Sequence, residues 1–165
     1  MMRNAMMFVD QENLRNGCNN YDPKYQYDFV KLRNELVEDY YTIRSYWYAS
    51  WNPENDKPTG FYDALRGEGF RVCASPRKQR GKKKYEEKGV DIQLATDLIA
   101  QAYQESYDTA VVVSGDADYR RAIEYVQDQG KRVIAAGWKN SSSKDIKRQA
   151  DEFIELNDIA DAIKK

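Results

Sequence analysis

Short apolar segments separated by helical stretches run the length of the chain, and this alternation constrains the fold more than any other feature. Strand candidates are "AMMFV", "TIRSYWYAS", "GFRVCA", "TAVVVSG" and "RVIAAGW". Between them, "TGFYDALRGEG", "GVDIQLATDLIAQAYQ" and "DYRRAIEYVQDQG" carry the spacing of helices that cover one face. Strands and helices in alternation build a parallel sheet with crossover helices. A further helix is expected to start at Asp22 and Pro23 and to run to about Asp39. The tail adds a Ser-capped helix, a short "FIEL" strand and a final helical turn or two. At 165 residues, with no internal repeat or linker, the chain reads as one domain over residues 1–165.

In an open parallel sheet the working crevice lies beyond the carboxyl ends of the strands, where the strand order reverses. Asp10 closes the first strand and Asp116 follows the "VVVSG" strand. If these strands are neighbours across the reversal, both carboxylates face one opening. Asp91 falls on the same helical stripe as Leu94, Ala95, Leu98 and Ala102, the stripe expected to face the sheet. A first-turn acid favoured by the helix dipole is the plainer account of Asp91, and an N-cap is the plainer account of Asp118. Asp97, on the polar face with Gln93 and Gln101, is expected to be solvated. Several acids around one crevice call for a bound cation, since two like charges ~4 Å apart cost about 4 kcal/mol at an effective dielectric near 20. Oxygen donors without His or Cys suit Mg2+ or Mn2+. Asn13, just beyond Asp10, is either a ligand-orienting amide or a turn residue.

Composition excludes several alternatives. The chain contains no His, and Cys18 and Cys73 lack metal-ligand spacing, which leaves zinc sites and Cys/His nucleophile pairs without residues to build them. No apolar run reaches the ~20 residues that cross a bilayer, so a soluble, cytoplasmic protein is expected. No Gly-rich turn follows the first strand, as a dinucleotide site would require. Glu12 stands where a haloacid-dehalogenase-type phosphatase has its second Asp. Charge is unevenly placed. Arg77, Lys78, Arg80, Lys82, Lys83, Lys84 and Lys88 against Glu86 and Glu87 give residues 77–88 a net charge of +5, leaving −6 elsewhere in a chain of formal charge −1. Such a run is either a solvated loop or a phosphate-binding segment, with Tyr85 available to stack on a base.

"FVDQENL", "KGVDIQLATDL" and "VVVSGDADY", in this order and followed by "QADEFIEL", resemble the NYN branch of the PIN-like nucleases, in particular its LabA-like bacterial members. The resemblance spans about Met7 to Leu156. It implies a Rossmann-like three-layer α/β fold with a mainly parallel central sheet flanked by helices. It also implies an acidic Mg2+ or Mn2+ site and ribonuclease activity. Carried over by motif, the catalytic and metal-binding set is Asp10, Asp91, Asp116 and Asp118, with Asn13 as polar support. RNA is the expected partner, held by the basic run. One departure stands out, since Gln11 follows the first Asp where the family usually has Gly. A nucleic-acid-binding or regulatory protein that keeps the fold without cleaving is the alternative function.

Overall fold

The first strand ends at Asp10 and a helix begins at the very next residue, so the chain turns back over the sheet at the first carboxylate. The computed structural model describes residues 2–79, the backbone of 85 and 86, and residues 89–165. Six strands form the sheet: β1 (Asn4–Asp10), β2 (Tyr41–Trp51), β3 (Phe70–Pro76), β6 (Thr109–Val113), β7 (Arg132–Gly137) and β8 (Glu152–Glu155). Two short segments, β4 (Lys78–Gln79) and β5 (Tyr85–Glu86), pair antiparallel outside it. The helices are α1 (Gln11–Tyr21), α2 (Phe29–Val37), α3 (Thr59–Gly67), α4 (Val90–Tyr103), α5 (Arg120–Asp128) and α6 (Lys144–Gln149). The sheet order is β3-β2-β1-β6-β7-β8, with every neighbouring pair parallel. The order reverses between β1 and β6, the two strands that carry Asp10 and lead to Asp116.

Each face of the sheet has its own core, as the period of two in a strand requires. Met7, Val9, Trp47, Val111 and Val113 pack with Leu14, Leu32, Leu65 and Trp138 on the side of α1, α2 and α3. Met6, Phe8, Tyr46, Tyr48 and Val112 pack with Leu94, Leu98, Ile123, Val126 and Ile146 on the side of α4, α5 and α6. The result is the three-layer arrangement that the alternation implies. All five apolar strand candidates and the "FIEL" strand form, and Ser143 accepts from the Ile146 amide as the N-cap of α6. Among the described residues no helix is long and apolar enough to cross a membrane.

The first helical region differs from the expectation. Instead of one helix from Asp22 to about Asp39, α1 occupies 11–21, Asp22 is its C-cap, and α2 starts only after Asp28. The Asp28 carboxylate accepts from the amides of Val30 and Lys31, both at 2.9 Å. Asp28 therefore satisfies two of the free amides at the start of a helix, which Asp22, whose carboxylate caps only the turn at Lys24, does not. The helix α1 was hidden because "QENLRNGCNNY" is mostly polar and buries little beyond Leu14, Gly17 and Cys18. Asp97 also departs from its expected solvated state. It is half-buried on α4 and accepts the Tyr48 hydroxyl at 2.7 Å, and burial together with this carboxylate pushes the Tyr48 pKa far up.

Candidate active site

Four of the five expected site residues meet in one crevice of about 260 Å3 at the carboxyl ends of β1 and β6, lined by Asp10, Asn13, Asp91 and Asp116 together with Glu12, Asn16 and Tyr119. Asp10 is 5% exposed and is the N-cap of α1, its Oδ1 accepting from the Asn13 amide at 3.3 Å. Its Oδ2 accepts from the Ser114 hydroxyl at 3.1 Å and from the Tyr119 hydroxyl at 3.2 Å. Burial raises the Asp10 pKa; the three hydrogen bonds oppose that rise, and the negative charge of Asp116 adds to it. Tyr119 is raised far above an ordinary phenol, chiefly by burial and then by the charge of Asp10.

Ser114 joins the two strand ends. Its hydroxyl donates to Asp10 and accepts from the Asp116 amide at 3.2 Å, so the second carboxylate is placed by the same side chain that steadies the first. Asp116 then caps the turn at Ala117–Tyr119, its Oδ1 accepting from the Asp118 amide at 3.0 Å. Asp91 enters from the opposite layer in the first turn of α4. The helix starts after Gly89, whose φ of 88° lies in the left-handed region that favours glycine. Of the stripe read from the sequence, Leu94, Leu98 and Ala102 are buried, whereas Asp91 is exposed at the crevice mouth.

Asn13 orders the crevice from below. Its Oδ1 accepts from the Gly115 amide and its Nδ2 donates to the Ser141 carbonyl, both at 3.0 Å, tying α1 to the loops after β6 and β7. Gly115 in turn has no room for a side chain, because a Cβ there would run into Ser142, backbone included. Ser141 and Ser142 thus shape the loop packing.

Asp118 does not line the crevice; it is exposed on the turn beyond Asp116. Gln11 turns away from it too, accepting the Trp47 indole N–H at 2.7 Å. Of the basic run, Arg77 reaches the crevice wall: its guanidinium donates to Glu12 Oε2 at 2.9 Å and to Ser50 Oγ at 3.2 Å. An arginine therefore stands against Glu12 at the edge of the acidic crevice. Lys78 is exposed on β4. Arg80, Lys82, Lys83, Lys84 and Lys88 lie outside the described residues, as does the Tyr85 side chain. Sequence reasoning passed over Glu12, Asn16, Ser114 and Tyr119. Glu12 and Asn16 share a face at i, i+4 once α1 is recognised as a helix.

All the donors are oxygen atoms, the chemistry that suits a hard divalent cation. Among the described residues no three His, Cys, Asp or Glu side chains stand close enough together to hold a metal ion. The donor set fits a cation such as Mg2+ that keeps several waters and takes only one or two carboxylates from the protein.

An acidic crevice at the reversal point of a 3-2-1-6-7-8 parallel sheet, with carboxylates from β1, the β6 turn and α4, defines a PIN-like domain of Rossmann-like topology. The chain belongs to the NYN domain family, whose family model matches residues 4–157. Members of this family are generally nucleases. A similar curated protein is the low amplitude and bright protein LabA of Synechococcus elongatus, 27% identical over 169 residues that cover 96% of this chain and 87% of that protein. An uncharacterised protein of Sinorhizobium fredii, y4oD, is 36% identical over 77 residues, covering 45% of this chain and 36% of its own. A crystal structure of a protein of unknown function from Vibrio parahaemolyticus has the same fold, with a TM-score of 0.80 at 24% identity, covering 99% of this chain and 97% of that one.

Proposed function

We propose that the crevice is the active centre of a metal-dependent ribonuclease that hydrolyses phosphodiester bonds of single-stranded or loop RNA. The observation that carries this reading is the convergence of Asp10, Asp91 and Asp116 on one opening at the switch point of the sheet. One or two of Asp10, Asp91 and Asp116, with waters completing the shell, would hold Mg2+ or Mn2+, which would supply charge stabilisation at the phosphate and a bound water of lowered pKa. The protein's own groups set the geometry. Ser114 and Tyr119 fix the Asp10 carboxylate, Asn13 locks the two loops that form the floor, and Glu12 holds Arg77 at the wall, where its guanidinium can meet a phosphate oxygen. Asp118, exposed beyond Asp116, serves the rim, and its loss should cost less than that of Asp116. The basic run of residues 77–88 holds the RNA backbone, an attraction that tolerates any sequence and weakens with salt.

One observation favours a second reading. Both Asp10 oxygens are already satisfied by internal hydrogen bonds, an arrangement equally suited to a structural carboxylate in a non-catalytic RNA-binding or regulatory domain. Incubation of labelled RNA and DNA with Mg2+ or Mn2+, beside an EDTA control, separates the two. Metal-dependent RNA fragments support the nuclease; RNA that is bound and stays intact in both metals supports the binding domain.

A further inference from the structure

Beside the acidic crevice lies a second cleft of about 390 Å3, and a residue of the first is paired with two residues of the second. Glu12 lines the crevice, and its Oε2 accepts from Arg77 at 2.9 Å and from Arg15 at 2.8 Å. Both arginines line the second cleft. Two positive charges against the single Glu12 carboxylate leave this wall net positive; Asp56, which also lines the cleft, is a counter-charge. The same cleft is walled by two aromatic rings, half-buried Trp51, with Lys57 Nζ 5.0 Å over its ring, and Phe61, 36% exposed. Tyr62 also lines it. Among the described residues the Tyr62 hydroxyl is buried without a hydrogen-bond partner, and the Arg77 charge offsets part of the rise in its pKa that burial causes.

We propose that this cleft is a nucleobase subsite, taking one base of a single-stranded RNA whose adjoining phosphate lies against the acids. The assignment rests on the ribonuclease reading above for the direction of the strand and deepens it. An aromatic wall for the ring and an arginine pair on the side of the acidic crevice for the linking phosphate are two contacts a nucleotide asks for. The volume falls within the range of small-ligand pockets, roughly 300–1,000 Å3. Asp10 and Asp116 do the chemistry in the neighbouring crevice, and Trp51 fixes which nucleotide sits beside it.

The test is equilibrium binding of a fluorescein-labelled single-stranded RNA hexamer in EDTA, where no hydrolysis occurs, read by anisotropy. Base–aromatic stacking worth ~1–3 kcal/mol corresponds to a loss of affinity of about 5- to 150-fold in Trp51→Ala. The slope against salt should not change, because stacking releases no counterions. Trp51→Phe should recover most of the affinity, which separates loss of the ring from loss of the fold. Affinity equal to wild type in Trp51→Ala, or an equal loss in the Ala and Phe variants, overturns the subsite. Trp51-dependent binding by a protein that cleaves nothing with Mn2+ would sink the ribonuclease reading and leave the subsite standing. Metal-dependent cleavage with Trp51-independent binding would do the reverse.

Discussion

Asp10 carries two demands that conflict, being buried at the end of β1 and yet required as a carboxylate at the mouth of a crevice. Its raised pKa means that the folded protein holds its proton more tightly than the unfolded chain does. The Asp10 contribution therefore favours folding below the unfolded value of 3.8 and turns against it as pH rises through the folded value. Asp10→Asn, which keeps the cap on α1 and removes the buried charge, should in EDTA at pH 7 melt at a higher temperature than wild type. The gain should be about 2–4 °C for each kcal/mol relieved and should shrink as pH falls toward 4. A lower melting temperature at pH 7 would show that the hydrogen bonds from Ser114 and Tyr119 outweigh burial. Asn13 acts by geometry alone. Asn13→Ala strips partners from the Gly115 amide and the Ser141 carbonyl and should cost about 1–3 kcal/mol in urea unfolding.

At the scale of elements, the strands were legible in the sequence because β-branched and aromatic runs such as "AVVV" and "YWYA" have few other uses. Asp10, Asp91 and Asp116 could be read for the same reason, since an acid at the end of such a run or on an apolar helical stripe is conspicuous. What escaped was held by partners remote in sequence. The helix α1 is stabilised by packing against β2 and the turn at Lys139–Ser141, neither visible in its own polar residues. Glu12 gains its place through Arg77, 65 positions away, and Tyr119 through Asp10, 109 away. Asp97 looked solvated because its partner, Tyr48, sits on β2. The loop after β6 tests this account of element packing. Gly115→Ala would push Ser142 away and separate Asp116 from Ser114, so it should destabilise by about 1–3 kcal/mol and weaken any metal response.

The whole molecule divides its charge, with +5 on residues 77–88 and −6 on the remainder. If the run holds RNA, Lys82→Ala, Lys83→Ala and Lys84→Ala combined should lower the log-log salt slope of RNA binding by up to about 2 units while leaving metal effects intact. An unchanged slope in an anisotropy salt series would make the run a solvated segment only. The acids should respond to metal instead. Mn2+ or Mg2+ at ~100 times its dissociation constant should stabilise the folded protein by about 2.7 kcal/mol, and Asp116→Asn should remove that gain. The most direct measurement is single-turnover cleavage of a labelled single-stranded RNA with Mn2+, comparing wild type with Asp116→Asn of equal circular dichroism and equal RNA affinity. The account predicts cleavage by wild type that EDTA abolishes, and a loss of at least about a hundredfold in the variant, since metal-borne charge stabilisation is worth several kcal/mol. Cleavage at the same rate by both proteins would contradict it.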